Sequence, residues 1–190
     1  MAVNLSARQL REESFISVVE RVLKQTGVDP ESLEIEITEN MLMSDSTNIV
    51  VALDTLHDMG IHISMDDFGT GYSSLNHLRQ FPIDTIKIDG AFVADIESNT
   101  GEIEIIKAII TMGHSLNRRV AAEGVETEGQ LSILKELGCD EVQGYYLCPP
   151  KPVGPLTKFL QEKVAGDKAK SGGQPGRAAR RGKKARIAGV

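Results

Sequence analysis

The run DDFG, which begins at Asp66, places two adjacent carboxylates where a β-prone segment gives way to a glycine-containing loop. Neighbouring side chains on a strand point to opposite faces, so Asp66 and Asp67 can serve one site only where the backbone turns. Gly69 and Gly71 are expected to supply that turn. Paired carboxylates suit a hard divalent cation such as Mg²⁺. For the motif alone, an Asp-Gly surface turn is the plainer explanation.

The DFG triplet also occurs in protein kinases, which need three further motifs. These are a Gly-rich loop, a V-A-I-K lysine and an H-R-D loop. None of them precedes Asp66 in this sequence. A protein kinase is therefore excluded.

Other polar side chains occur on β-like runs along the whole chain. The six runs are Ala2–Ser6, Leu33–Thr38, His62–Asp67, Thr85–Asp89, Arg119–Gly124 and Glu141–Leu147. Their functional-looking side chains are Asn4, Glu36, Asp66, Asp67, Lys87, Glu123 and Gln143. Because burying an unpaired carboxylate on an apolar strand is costly, Glu36 favours a functional role. The same reasoning applies to Lys87 between two isoleucines, although its charged end could instead reach solvent. Taken singly, Asn4 could be a cap, Glu123 a helix-terminal charge and Gln143 a backbone hydrogen-bonding residue.

Helical patterns separate the six runs, and this alternation predicts parallel strands joined by helical crossovers. The two architectures of this kind are a doubly wound sheet and a (β/α) barrel. An open sheet gathers its ligand from few strands, whereas a barrel brings every strand end to one rim. The polar residues on all six runs favour a TIM-like (β/α) barrel. Such barrels have eight strand-helix units, so six are predicted here and two are expected to be missing at the N-terminus.

Composition narrows the class of protein further. The 190 residues are 41% hydrophobic, which is enough for one domain with a real core. The sequence has neither an apolar run long enough to span a membrane nor a secretory signal pattern, which predicts a cytoplasmic location. Cys139, Cys148 and the four histidines form no zinc-binding pattern.

Charge is distributed unevenly along the chain. Residues 165–190 contain eight Lys and Arg and one Asp, whereas the whole chain has a formal net charge of −6, so residues 1–164 carry −13. We therefore predict a barrel domain over residues 1–164 and a basic, disordered tail over residues 165–190. The acidic body argues against specific nucleic-acid binding, and only non-specific contact through the tail is left open.

Six sequence blocks together resemble one protein family. They are VNLSARQL (3–10), LEIEITEN (33–40), MDDFGTGYSSL (65–75), FPIDTIKID (81–89), VAAEGVET (120–127) and VQGYYLCPP (142–150). In this order and spacing they resemble the EAL family of bacterial cyclic di-GMP phosphodiesterases. The resemblance covers residues 2 to about 160 and implies hydrolysis of cyclic di-GMP to pGpG with two Mg²⁺ or Mn²⁺ ions.

The resemblance also implies a role for each site residue. The metal ligands it implies are Asn4, Glu36, Asp66, Asp67 and Glu123, with Asp66 between the two ions. Lys87 would orient or activate the attacking water, and Gln143 would assist at the same rim. Glu39 would anchor the loop after the DDFG run, and that loop would connect metal binding to a homodimer interface.

One departure from the family pattern leaves alternatives open. The sequence has no Glu-Ala-Leu motif, whose glutamate is a metal ligand in the family and would lie before Met1. The chain is therefore expected to be an N-terminally truncated phosphodiesterase domain, an inactive module that binds cyclic di-GMP or a protein, or a part completed by another polypeptide. An enolase-like barrel with Lys87 as base is a further alternative, but the Asp66-Asp67 pair argues against it.

Overall fold

The computed structural model describes residues 1–42, 47–69, 75–171 and 186–187. Its core is a parallel sheet whose strands follow one another in chain order. The strands are β1 (Ala2–Asn4), β2 (Glu34–Thr38), β3 (His62–Phe68), β4 (Thr85–Ile88), β5 (Arg119–Ala122) and β6 (Glu141–Val142). A two-residue strand, β7 (Arg186–Ile187), pairs in parallel with β6. All six predicted β-like runs are therefore strands.

The strand order identifies the architecture. A doubly wound sheet reverses its order at a switch point, whereas each strand here pairs with the next one in sequence. This confirms the TIM-like (β/α) arrangement. Within the described ranges no pairing joins β1 to β6 or β7, so the sheet is an open part of a barrel.

Helices connect the strands on the outside of the sheet. They are α1 (Ala7–Leu10), α2 (Phe15–Thr26), α3 (Glu39–Leu42), α4 (Thr47–Asp58), α5 (Leu75–Gln80), α6 (Gly90–Ala94), α7 (Thr100–Ser115), α8 (Glu128–Glu136) and α9 (Val153–Ser171), with a 3₁₀ turn at Pro30–Ser32. A capping box begins α8: the side chain of Thr127 accepts a hydrogen bond from the backbone N–H of Gln130, and the side chain of Gln130 accepts one from the backbone N–H of Thr127. Gly27 ends α2 with a left-handed φ of 67°.

The two faces of the sheet differ in polarity because side chains alternate along each strand. On β2, the buried Ile35 and Ile37 lie on the face that packs against the helices. Glu36 lies on the other face, where its neighbour in the register of β2 and β3 is Ser64. Each fully buried aliphatic side chain contributes roughly 1.5–3 kcal/mol, so the apolar face holds the sheet together. The polar face is the inside of the barrel and is available for chemistry.

The C-terminal region is more ordered than predicted at two places. Helix α9 crosses the predicted boundary at residue 164 and continues to Ser171, and β7 lies within the predicted tail. The predicted lack of structure does not hold for these residues. For the rest of the tail it stays a prediction, because those positions lie outside the described residues. None of the helices described is long and apolar enough to cross a membrane.

Candidate functional site

The centre of the candidate site is the ammonium of Lys87 on β4. The residue is only 5% exposed. Its Nζ lies 2.5 Å from Glu36 Oε1, is hydrogen-bonded to Glu123 Oε1 and lies 3.4 Å from Asp66 Oδ1. Four successive strands, β2 to β5, thus bring one cation and three carboxylates together at their carboxyl ends.

Strand register explains how the lysine reaches across the sheet. Lys87 lies beside Ala121 on β5, and Ser64 on β3 lies beside Glu36. Ala121 and Ser64 are small and buried. They leave room for the four-carbon stem of Lys87 to cross β3 and meet Glu36 on β2.

The two aspartates share the site because β3 contains a bulge. Met65 pairs with Ile86 and Phe68 pairs with Ile88, so Asp66 and Asp67 together stand opposite a single residue of β4. Asp67 has a φ of 56°, a left-handed conformation that a non-glycine residue adopts at a cost of about 1–2 kcal/mol. The turn predicted at Gly69 is present, with a φ of 100°, but the chain already turns two residues earlier at Asp67. Gly71 lies outside the described residues.

Burial and neighbouring charges change the protonation of Asp67. Its pKa is raised, first by burial and then by the adjacent carboxylates of Asp66 and Asp89. The side chains of Asp67 and Asp89 also share a hydrogen bond, which raises the pKa of Asp67 further. Asp89 also accepts a 2.7 Å hydrogen bond from the backbone N–H of Ala91 at the start of α6.

Lys87 and Glu123 differ in how their surroundings change their pKa values. Burial opposes the ammonium of Lys87, but its hydrogen bonds to Glu123 and Glu36 outweigh burial and raise its pKa. Burial also raises the pKa of Glu123, and the hydrogen bond from Lys87 only partly offsets this effect. Lys87 is therefore a charged donor, and Glu123 is a carboxylate that accepts a proton more readily than an exposed glutamate.

Glu39 lies at the start of α3 and is only 2% exposed. Its Oε2 accepts a 3.1 Å hydrogen bond from the backbone N–H of Gly69, the first residue after β3. Its Oε1 has no hydrogen-bond partner among the described residues. The contact connects the end of β2 to the loop after the DDFG run. Because residues 70–74 lie outside the described residues, the anchoring role of Glu39 stays a prediction.

Asn4 and Gln143 lie at the rim without joining the central cluster. Asn4 is beside Glu36 in the register of β1 and β2. Gln143 follows β6 and lines a cleft of about 290 Å³ with Glu123 and Tyr145. Within the described part of the chain, neither side chain hydrogen-bonds to the Lys87 cluster. Their metal-binding and catalytic roles stay predictions.

Two close backbone contacts hold the rim residues Glu123 and Gln143 in place. Gly124 has a φ of 68°, and a Cβ there would lie 3.0 Å from the Cα of Gly90. A Cβ on Gly144 would overlap the backbone of Val125. The backbone N–H of Val125 donates to the carbonyl of Gln143 at 3.0 Å. Glycine at positions 124 and 144 therefore allows the loops after β5 and β6 to pack against their neighbours.

The sequence analysis did not single out Asp89 as a site residue. The signal was available, because Asp89 ends the β-like run that contains Lys87, two positions further on. What could not be inferred was its contact with Asp67, since that contact depends on the bulge in β3.

The donor set fits a hard divalent cation in its chemistry. Carboxylates of Glu36, Asp66 and Glu123 converge on one cation, and Asp66 Oδ1 is buried with no hydrogen-bond partner in the described part of the chain. Oxygen ligands of this kind suit Mg²⁺ or Mn²⁺. In the present arrangement, where the carboxylates surround the lysine, the described residues contain no group of three or more His, Cys, Asp or Glu side chains with the geometry of a metal site. The ammonium of Lys87 is the cation between the carboxylates.

Comparison with known proteins shows the family of the chain. The EAL domain model matches residues 1–150. The cyclic di-GMP phosphodiesterase NbdA of Pseudomonas aeruginosa is 42% identical over 161 residues, which cover 85% of this chain and 21% of NbdA.

Two solved structures share the fold. A structure titled PaMucR phosphodiesterase, c-di-GMP complex, is 41% identical with a TM-score of 0.78, covering 82% of this chain and 63% of that one. The EAL domain of Mycobacterium smegmatis DcpA is 36% identical with a TM-score of 0.81, covering 85% and 72%. The chain spans about a fifth of the length of curated relatives such as NbdA. The chain belongs to the EAL domain family.

Proposed function

We propose that this chain is a metal-dependent phosphodiesterase domain that hydrolyses cyclic di-GMP to the linear dinucleotide pGpG in bacterial signalling. The observation that carries the proposal is the convergence of Glu36, Asp66 and Glu123 on the buried cation of Lys87. Membership of the EAL domain family supports it. So do the names of relatives, since NbdA is described as a cyclic di-GMP phosphodiesterase and MucR was solved with cyclic di-GMP.

The residues that would hold two divalent ions are Asn4, Glu36, Asp66, Asp67 and Glu123. When bound, the ions would make a water nucleophilic at neutral pH and stabilise the charge that develops on the phosphate. The bulge in β3 supports this assignment, because it gives Asp66 and Asp67 access to the same rim. We propose that the ions are Mg²⁺ or Mn²⁺, because the ligands are carboxylate and amide oxygens and include no sulfur or imidazole.

The side chains of the described rim define the other roles. Because Lys87 is held as an ammonium, it donates hydrogen bonds and cannot act as a base in that state. We propose that Lys87 orients the attacking water or a phosphate oxygen by donating a hydrogen bond to it. Glu123, which is hydrogen-bonded to the Lys87 ammonium, would act at the same place as a metal ligand beside that water. The charged state of Lys87 also argues against the enolase-like alternative, in which a neutral lysine would abstract a proton.

Gln143 and the loop contacts complete the proposed site. The amide of Gln143 lines the cleft beside Glu123 and can hydrogen-bond to a substrate oxygen. Glu39 would anchor the loop that includes Gly69, and the hydrogen bond from the Gly69 backbone N–H to its carboxylate supports this role. The binding-only alternative would leave a buried cluster of charges without a use, and such clusters are costly to maintain. A homodimer connected through that loop and a cytoplasmic location remain parts of the proposal, supported by family resemblance.

The test is direct hydrolysis by the 190-residue chain. The chain is incubated with cyclic di-GMP and Mn²⁺ or Mg²⁺, and pGpG is measured by chromatography. We expect pGpG to form, and Glu36→Gln to abolish its formation. Glu104→Gln is the matched control, because Glu104 lies on α7 with a side chain that is 72% exposed. A folded wild-type chain that binds cyclic di-GMP and releases no pGpG would support the binding-module alternative instead.

A further inference from the structure

The Lys87 ammonium contacts the same carboxylates that the proposed function assigns to metal ions. It has three N–H donors, and it meets Glu36, Asp66 and Glu123. Among the residues that the structure describes, one positive charge therefore faces three carboxylates. The inference that follows rests on the proposed metal site, but it concerns how that site is held before any metal arrives.

Burial makes the lysine necessary in the metal-free state. The side chains of Lys87 and Glu36 are 7% and 10% exposed, and that of Asp66 is 16% exposed. Carboxylates this close and this far from solvent repel one another, and each loses hydration. Removing the one cation would leave them unpaired, which is strongly destabilising for buried charges.

The contacts also show where the lysine leaves room for a metal ion. Two of the three carboxylates, Glu36 and Glu123, are hydrogen-bonded to Nζ. Asp66 Oδ1 lies 3.4 Å from Nζ and is buried without a hydrogen bond from any described residue. This oxygen is therefore the open acceptor of the cluster.

We propose that the Lys87 ammonium is a resident cation, which holds Glu36, Asp66 and Glu123 together without metal and competes with a divalent ion for their oxygens. Two consequences follow. The metal-free chain depends on Lys87 for its stability. The same lysine weakens metal binding, because an ion that takes these oxygens must draw Glu36 and Glu123 away from the ammonium.

The test compares Lys87→Met with Lys107→Met, using Mn²⁺ alone as the probe. Methionine keeps the length of the lysine stem and removes its charge. Lys107 is the matched control because it lies on α7 with a side chain that is 59% exposed. Thermal unfolding is measured in EDTA and in Mn²⁺ by circular dichroism, and free Mn²⁺ is measured by electron paramagnetic resonance. Neither readout requires catalysis.

We expect Lys87→Met to lower the melting temperature in EDTA, to bind Mn²⁺ roughly tenfold or more tightly than the wild type, and to recover its stability in Mn²⁺. Lys107→Met should match the wild type throughout. Equal or weaker Mn²⁺ affinity in Lys87→Met, or no loss of stability in EDTA, would overturn the proposal. Mn²⁺ binding without pGpG formation would instead count against the proposed function alone.

A second variant keeps the test decisive if Lys87→Met does not fold in EDTA. Lys87→Met combined with Glu36→Gln removes one charge of each sign. We expect this double variant to be more stable in EDTA than Lys87→Met, since fewer carboxylates are left unpaired. If the double variant is no more stable than Lys87→Met, and Mn²⁺ rescues neither of them, Lys87 supports the fold by packing alone and the proposal fails.

Discussion

Replacing Gly124 with alanine should displace Glu123 from Lys87, and the cost can be worked from the backbone. Gly124 has a φ of 68°, and its added Cβ would lie 3.0 Å from the Cα of Gly90, an atom that cannot turn aside. The left-handed conformation alone costs an alanine about 1–2 kcal/mol. Crowding against backbone adds about 1–3 kcal/mol unless the loop moves.

Gly27 offers a matched control for the conformational part of this cost. It has a φ of 67° at the end of α2, and its Cβ would meet none of the described atoms within 4 Å. Gly27→Ala should therefore lose only about 1–2 kcal/mol in unfolding free energy and keep its rate of pGpG formation. The difference between the two variants isolates the contact with Gly90.

The assay is urea unfolding of both variants, together with pGpG formation at saturating cyclic di-GMP. We expect Gly124→Ala to lose more stability than Gly27→Ala and to lose about a hundredfold in rate, the size of effect that a misplacement of about 1 Å can have. Equal stability losses and equal rates in the two variants would show that the contact between Gly124 and Gly90 does not position Glu123.

Three further predictions concern single side chains. Glu39→Gln should cost about 1–2 kcal/mol in unfolding free energy, because the backbone N–H of Gly69 loses a charged acceptor; urea denaturation measures this, and an unchanged midpoint would contradict it. Burial raises the pKa of the Cys139 thiol from 9.0 to about 12, so the folded chain holds the thiol proton more tightly than the unfolded chain does. The free energy of unfolding should therefore fall by about 1.4 kcal/mol per pH unit as the pH rises between these values. Urea unfolding of Cys139→Ser should lack this slope. Because the pKa of Asp67 is raised above 3.8, its contribution to stability in EDTA is fully present below pH 3.8 and is lost as pH rises through the raised pKa. Asp67→Asn should lack this pH dependence and bind Mn²⁺ more weakly than the wild type, as melting curves and Mn²⁺ titration would show.

The barrel arrangement was predictable because its signals are local. Alternating strand and helix patterns set the connectivity, and side-chain alternation puts Glu36 and Lys87 on one face. Once both residues lie on that face, their burial requires them to be paired. The sequence therefore predicts which side chains meet in the central cluster, but not the distances between them.

Other parts of the site depend on contacts between distant segments. The bulge at Asp66 and Asp67 arises from pairing between β3 and β4. The sequence alone therefore pointed to the loop glycines for the turn, whereas the backbone already turns at Asp67. The hydrogen bond between Asp67 and Asp89 follows from the same bulge. Tail residues 186 and 187 pair with β6 although their composition gives no sign of a strand.

The most direct test of the central claim is to locate the metal ions. Crystals of the chain grown with Mn²⁺ and cyclic di-GMP would be measured at the manganese absorption edge, and the anomalous difference map would show each ion. We predict peaks within coordination distance of Glu36, Asp66, Asp67 and Glu123, with cyclic di-GMP or pGpG phosphate beside them. Bound nucleotide with no manganese peak among these carboxylates would contradict the account.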